Sequence, residues 1–344
     1  MTCIDKLINE VRRKATVTSF SGVVSVFQGE KDLYSEAFGY ADFAEKRKNN
    51  PDTKFGIASG TKFFTGMGIG TLIDAGKLSL DTNIREIFNE DLSYIDPRAT
   101  IAHLLSHTSG IYDYADEETE INSEDFFVNI PWFQLETPSD YLPLFENKRP
   151  KFTPGERYSY SNGGYVFLGA IIERITEKLY REYMRDRVFN PVGMDDSGFF
   201  AFNQLPENTA HGYKKKKDDT LESNIYNLPI RGGADGGAYT TITDIHKLWR
   251  AFLNNRILSG KLTGLFSTPH AVINERVKYG YGMYIMKYMG MNMLFFNGGD
   301  AGVGFDSRYI PEKELGFTVI SNLTNDEERV RAVILSILGE ILSE

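Results

Sequence analysis

Ser59 and Lys62 are the first residues of this chain whose types and spacing suggest chemistry. They lie in Phe55-Gly56-Ile57-Ala58-Ser59-Gly60-Thr61-Lys62, and the apolar residues Phe63, Met67, Ile69, Leu72 and Ile73 follow at helical spacing. Residues three apart share a helix face, so the Lys62 ammonium can sit beside the Ser59 hydroxyl. The unpaired N–H groups of a helix N-terminus would point past that serine toward developing negative charge. One short segment can thus supply a nucleophile, a proton-transfer partner and part of an oxyanion hole. The same four residues also fit a capped surface helix. Two further stretches bear on the choice: Tyr160-Ser161-Asn162 before a helix, and Asn297-Gly298-Gly299 at the end of a strand. Taken singly, Tyr160 is a core aromatic and Asn162 a turn or cap residue. Those readings do not account for all three stretches jointly.

The elements that must position these residues follow from periodicity. Ile4, Leu7, Ile8 and Val11 lie on one face of an N-terminal helix. Phe20–Phe27 and Leu33–Tyr40 predict a hairpin about the Gln28-Gly29-Glu30-Lys31 turn. From Lys62 to about residue 230 the pattern is helical and loop-rich. It includes a short helix at Thr100–His107 and a helix after Asn162 with Tyr165, Leu168, Ile171, Ile172 and Ile175 inward. A glycine-rich hinge at Arg231–Gly237 precedes a helix carrying Ile245, Leu248, Trp249 and Phe252. Strands return at Tyr279–Met286, Met291–Phe296, Phe305–Ile310 and Phe317–Ser321, before a C-terminal helix with Val330, Ile334, Ile337 and Ile341.

The expected fold class is α+β. Both chain ends build one antiparallel sheet flanked by the terminal helices, and a mainly helical lobe is inserted between its strands. The expected division is 1–58 plus 235–344 for the sheet domain and 59–234 for the helical one, with the active site in the cleft between them.

Bulk properties narrow the function. The 344 residues carry a net charge of −9, which disfavours nucleic acid and anionic membrane surfaces as partners. No apolar run approaches the roughly 20 residues of a membrane span. The N-terminus lacks a signal peptide's apolar region and Cys3 is the single cysteine, so the expected location is cytoplasmic. His103-x-x-x-His107 lacks the glutamate of a zinc-protease signature, and helix packing and capping is the favoured reading. No metal and no organic cofactor is expected, and the oligomeric state is left open.

Jointly, Ser59-x-x-Lys62, Tyr160-x-Asn162 and Asn297-Gly298-Gly299 resemble the serine β-lactamase and penicillin-binding protein superfamily, specifically its class C-like branch of β-lactamases, D-peptidases and esterases. His103-Leu104-Leu105-Ser106-His107-Thr108-Ser109-Gly110, Thr153-Pro154-Gly155, Pro191-Val192-Gly193-Met194 and Gly236-Gly237-Ala238-Tyr239-Thr240-Thr241 extend the likeness over nearly the whole chain. The resemblance implies a β-lactamase/transpeptidase-like fold and an acyl-serine mechanism. Ser59 would be the nucleophile, and Lys62 would help to deprotonate it. Tyr160 would serve as general base and then acid, its pKa lowered by Lys62. Asn162 would bind Lys62 and a substrate carbonyl. The oxyanion hole would combine the Ser59 N–H with an N–H just after Gly299, matching Asp300.

The chain departs from the family at Asn297, where the family usually has Lys or His. An uncharged residue facing Ser59 would weaken binding of a substrate carboxylate, and the acidic stretch Asp113–Asp125 adds to that effect. Uncharged or cationic esters and amides are therefore expected over carboxylate-bearing lactams. Tyr112, Tyr114, Phe126, Phe127, Trp132 and Phe133 could line an acyl pocket or belong to the core. The expected function is a serine hydrolase acting on a small ester, amide or lactam, with esterase or amidase activity favoured. The alternative is a weakly active relative serving as a penicillin-binding sensor or scaffold.

Overall fold

Alternation along the first strand sets the layering. In the computed structural model, which describes residues 2–88, 92–118 and 128–343, β1 (Gly22–Gln28) sends Val23 and Phe27 to one core and Val24 and Val26 to another. Successive side chains of a strand point to opposite faces. Because both faces are covered, every residue of β1 but Gln28 is buried, and the sequence alternation looks imperfect.

The remaining strands of the main sheet are β2 (Lys31–Phe38), β3 (Ala271–Val272), β4 (Val277–Tyr279), β5 (Tyr284–Tyr288), β6 (Met291–Asp300), β7 (Val303–Ile310) and β8 (Leu315–Ser321). They lie in the spatial order β2-β1-β8-β7-β6-β5-β4-β3, and every pairing is antiparallel. The two chain ends meet where β1 pairs with β8, from Gly22 opposite Ser321 to Gln28 opposite Leu315. β6 runs four residues past the expected Phe296, because Gly298 and Gly299 pair with Phe305 and Gly304 of β7.

One face is covered by α1 (Cys3–Thr18), and on the other α2 (Thr61–Asp74) meets the sheet through Phe63 against Phe296 of β6. α1 begins in a capping box, with Thr2 Oγ1 accepting from the Asp5 N–H and the Asp5 carboxylate accepting from the Thr2 N–H. α3 (Asn162–Thr176) packs with α2, α4 (Ile242–Leu253) lies against β1 and β8 on that same face, and α5 (Glu327–Ile341) lies beside α1. The core between sheet and helices is continuous, from Phe296 and Phe305 through Phe63 and Phe64 to Leu168 and Ile171.

The apolar run read at helical spacing in α2 is only part of what the helix buries, since Thr61 to Leu72 are all buried. Gly66, Gly68 and Gly70 make this possible. Cβ atoms there would fall 3.3 Å from the Phe266 ring, 2.7 Å from Met184 Sδ and 2.7 Å from Leu258 Cδ2. The helix is a central rod whose missing side chains admit its neighbours. Glu120, Glu124, Asp125, Phe126 and Phe127 lie outside the described residues. Among the described residues no helix is long and apolar enough to cross a membrane.

A buried carboxyl marks the N-terminus of α5. Glu327 is 4% exposed, and its Oε2 has no hydrogen-bond partner among the described residues. A Cβ on Gly304 would lie 2.0 Å from that oxygen, so the carboxyl sits directly over the β7 backbone. Burial pushes its pKa up to about 7. An unfolded glutamate ionises near 4.5, so stability falls as pH climbs from there to about 7 and is level above it. The span corresponds to about 3 kcal/mol. Glu327→Gln should therefore melt several °C higher than the parent at pH 8 and at the same temperature near pH 4.5. Equal shifts at both pH values would exclude this origin.

Candidate active site

Ser59 lies in a single 3-10 turn, Ala58–Gly60, that leads into α2. Ala58 adopts a left-handed φ of 43°, a conformation that side chains disfavour and that is found at functional turns. The turn is gripped on both sides. The Phe55–Gly56 segment pairs with Tyr239–Thr240, the Ile57 N–H donates to Ala238 O, and the Gly237 N–H donates to Ala58 O. On the sheet side, a Cβ on Gly298 would fall 2.2 Å from Ile57 O and 2.6 Å from Ser59 N.

Lys62 follows one turn later and is 2% exposed. Its Nζ donates to Ser59 Oγ (3.1 Å), Asn162 Oδ1 (2.7 Å) and the Asp235 backbone oxygen (2.6 Å). Burial lowers its pKa from the usual lysine range, against the opposing fields of Asp235, Glu117, Asp113 and Asp300. Tyr160 donates from its hydroxyl to Ser59 Oγ at 2.6 Å. The expected lowering of the Tyr160 pKa is corrected by the structure. Burial, with Tyr284 and Glu117 nearby, pushes it well above the ordinary phenol value.

Asn162 opens α3, and its amide bridges two partners. Oδ1 accepts from Lys62, while Nδ2 donates to Ala115 O at 3.2 Å. Its backbone N–H and that of Gly163 donate to the Asp113 carboxylate at 2.6 and 3.1 Å. Asp113, read in sequence only as part of an acidic stretch, is buried as a cap on α3, its pKa pushed up to about 6 by burial. Asp235, also buried, accepts from the Tyr114 hydroxyl. Neither role of Asp235 was visible in sequence, where it appears only as one residue of a glycine-rich hinge.

The third stretch is corrected by one residue. Tyr288 and Met291 close a two-residue turn at Met289-Gly290, where both φ values are positive, and Asp300 and Val303 close another at Ala301-Gly302. Closing pairs of such hairpins exchange both backbone hydrogen bonds, and bonding then alternates along the strand. The N–H groups of Phe296, Gly298 and Asp300 therefore turn toward β7. β5 stops at the pair Tyr284–Phe295, so the edge of β6 beyond it is open. The N–H groups on that open edge belong to Asn297 and Gly299. Asp300 N–H, expected as an oxyanion donor, is bonded within the hairpin, and Gly299 N–H takes the open position.

Side-chain parity follows the same rule. Gly298 contacts the Ser59 turn, and Phe296 on the same face packs 4.9 Å from the Phe63 ring. Asn297 shares the opposite face with Phe295 and Gly299. The expected placement of Asn297 facing Ser59 is therefore corrected: Phe296 occupies that side. Asp300, back on the Ser59 face, lines the cleft with Glu117, Asp235 and Trp132. The cleft volume is about 960 Å³. His103 and His107 do not share a helix face, because the helix ends at Leu105 and His107 adopts a φ of 58°.

The family described as Beta-lactamase matches residues 9–338 of this chain. Penicillin-binding protein 4* of Bacillus subtilis (strain 168) is 27% identical over 332 residues, spanning 92% of this chain and 71% of that protein. A penicillin-binding protein from Bacillus halodurans superposes with a TM-score of 0.90 at 37% identity, over 95% of this chain and 99% of the other. D-amino acid amidase from Ochrobactrum anthropi SV3, solved with D-phenylalanine, gives 0.82 at 25% identity over 99% of both chains.

The contact between Gly298 and the Ser59 turn is directly testable. Gly298→Ala must displace backbone rather than a flexible side chain. Acylation of Ser59 by an activated ester should slow by about 100-fold, the scale expected for a displacement near 1 Å. A wild-type rate in a folded variant would contradict this contact.

Proposed function

The chain belongs to the β-lactamase family, and from that premise we propose that it hydrolyses small esters or amides through an acyl intermediate on Ser59. The observation that carries the reading is Ser59 Oγ within hydrogen-bond distance of both Lys62 Nζ and Tyr160 OH. The Tyr160-x-Asn162 pattern supports placement in the class C-like branch.

The opposite pKa directions of Lys62 and Tyr160 support a division of labour. Lys62, lowered by burial, takes the Ser59 proton as Oγ attacks the carbonyl carbon. Tyr160, kept protonated by burial, donates its proton to the leaving oxygen or nitrogen and is restored from Lys62. The N–H groups of Ser59 and Gly299 receive the developing oxyanion. Water then attacks the acyl-serine, and the same two groups move its proton. This assigns the base to Lys62 rather than to Tyr160.

The cleft's charge supports the substrate class. Glu117, Asp235 and Asp300 line it, Lys214 and Lys215 on its wall are paired with Glu222 and Asp219, and Phe296 supplies no cation on the Ser59 side of β6. A carboxylate on the substrate would meet repulsion, whereas a neutral or ammonium-bearing acyl group would not. The likeness to an amidase of D-amino acids supports amine-bearing acyl donors.

The test compares a neutral nitrophenyl ester, an aminoacyl nitroanilide and a chromogenic cephalosporin, with intact mass read in parallel. The first two should turn over, and the cephalosporin should be poorer by about 100-fold, or roughly 3 kcal/mol. Ser59→Ala should lose about 10³-fold or more. An unchanged Ser59→Ala would sink the proposal, and a stable penicilloyl adduct without turnover of any substrate would favour the sensor alternative. Because the base must be neutral, kcat/KM should fall as pH drops through the Lys62 ionisation, at a pH below the usual lysine range. Lys62→Arg should be inactive throughout, since guanidinium does not deprotonate.

A further inference from the structure

His107 accumulates two local costs that packing alone does not explain. Its φ of 58° is left-handed, a conformation seldom adopted by a residue with a side chain. Its ring is fully buried, and Nε2 has no hydrogen-bond partner among the described residues. Nδ1 accepts from the Ser161 N–H at 3.0 Å, which leaves the proton of a neutral imidazole on that unpartnered Nε2. Strain and unsatisfied polar atoms call for a reason, and they concentrate at functional sites.

The contacts of His107 converge on one residue. Its backbone oxygen accepts from the Ser159 N–H at 2.9 Å, and its Nδ1 takes the Ser161 N–H. These N–H groups belong to the residues on either side of Tyr160. Its ring packs 4.6 Å from the Tyr160 ring centroid. Lys62 Nζ lies 4.7 Å from the centroid of the same tyrosine ring. The carbonyl and the imidazole of left-handed His107 both meet the segment Ser159–Ser161. Tyr165 and Tyr279 in turn hold the imidazole, at ring distances of 5.0 and 4.7 Å.

We propose that His107 is a positioning residue that clamps Tyr160 at three points, fixing its hydroxyl against Ser59 without supplying a proton or a charge. Burial, with Lys62 close by, holds the imidazole pKa well below its ordinary value, consistent with a neutral ring. A second cation beside Tyr160 would also oppose the ammonium state of Lys62. The inference rests on the proposed acyl-Ser59 reading.

The experiment is a double-mutant cycle read as kcat and KM on the nitrophenyl ester, with melting curves to establish folding. His107→Gln moves the acceptor away from the Nδ1 position and should lower kcat by 30- to 100-fold, with KM within about threefold. His107→Asn keeps an acceptor where Nδ1 stood and tolerates the left-handed backbone, so it should recover to within about tenfold of the parent. In a Tyr160→Phe background, His107→Gln should have less than a threefold further effect, because a clamp acts only through the hydroxyl it places. The acid limb of the pH profile should keep its midpoint in His107→Asn. An equal loss from His107→Gln in both backgrounds, or an Asn variant no better than Gln, would overturn the clamp. Should His107→Gln fail to fold, the folded Asn variant decides, since a loss of its acid limb would mean that His107 exchanges a proton. Ser59→Ala separates the two failures: if it retains activity the site reading falls, and if it is inactive while His107→Gln is unimpaired only the clamp falls.

Discussion

The burial of one ammonium group organises this protein. Lys62 lies almost out of solvent, and among the described residues no carboxylate forms an ion pair with its Nζ. Its three hydrogen-bond positions are filled by neutral oxygens from three separate segments: the Ser59 hydroxyl, the Asn162 amide and the Asp235 backbone. A charge taken from water must be compensated by such contacts or give up its proton. Neutral acceptors with carboxylates at one remove leave the amine between those outcomes. An ion pair in direct contact would have held the proton firmly, and an apolar pocket would have removed it permanently.

That arrangement constrains everything around it. Asp235 can present its carbonyl only because the segment after the glycine-rich hinge pairs with Phe55–Gly56 and fixes the Ser59 turn. Asn162 can aim its amide only because Asp113 caps α3 from beneath, holding two backbone N–H groups. The carboxylates that neutralise the region are thus partly structural. They also place negative charge around Ser59, so in the proposed function the stabilisation of Lys62 and the choice of substrate share one cause.

Strand β6 meets the same turn from the sheet side, through backbone alone at Gly298. Its parity decides which N–H groups face the cleft and which side chains face Ser59. A shift of one residue exchanges both sets at once. The open edge exists because β5 ends before the motif, while β7 continues past it.

The sequence alone determined the architecture and the candidate site groups. Apolar periodicity marked both ends of the sheet and its covering helices, and Ser59, Lys62, Tyr160 and Asn162 were identifiable because each belongs to a short motif. Tertiary structure alone decided what those groups are able to do. The sequence could not show that Tyr160 is raised rather than lowered, because desolvation depends on neighbours such as Tyr284 that are distant in the chain. Nor could it show that Gly299 rather than Asp300 offers a free N–H. That depends on where two hairpins close and where a neighbouring strand stops. The roles of Asp113, Asp235 and His107 were illegible for the same reason. Their work is done through backbone groups and buried contacts, which leave almost no trace in residue type or spacing.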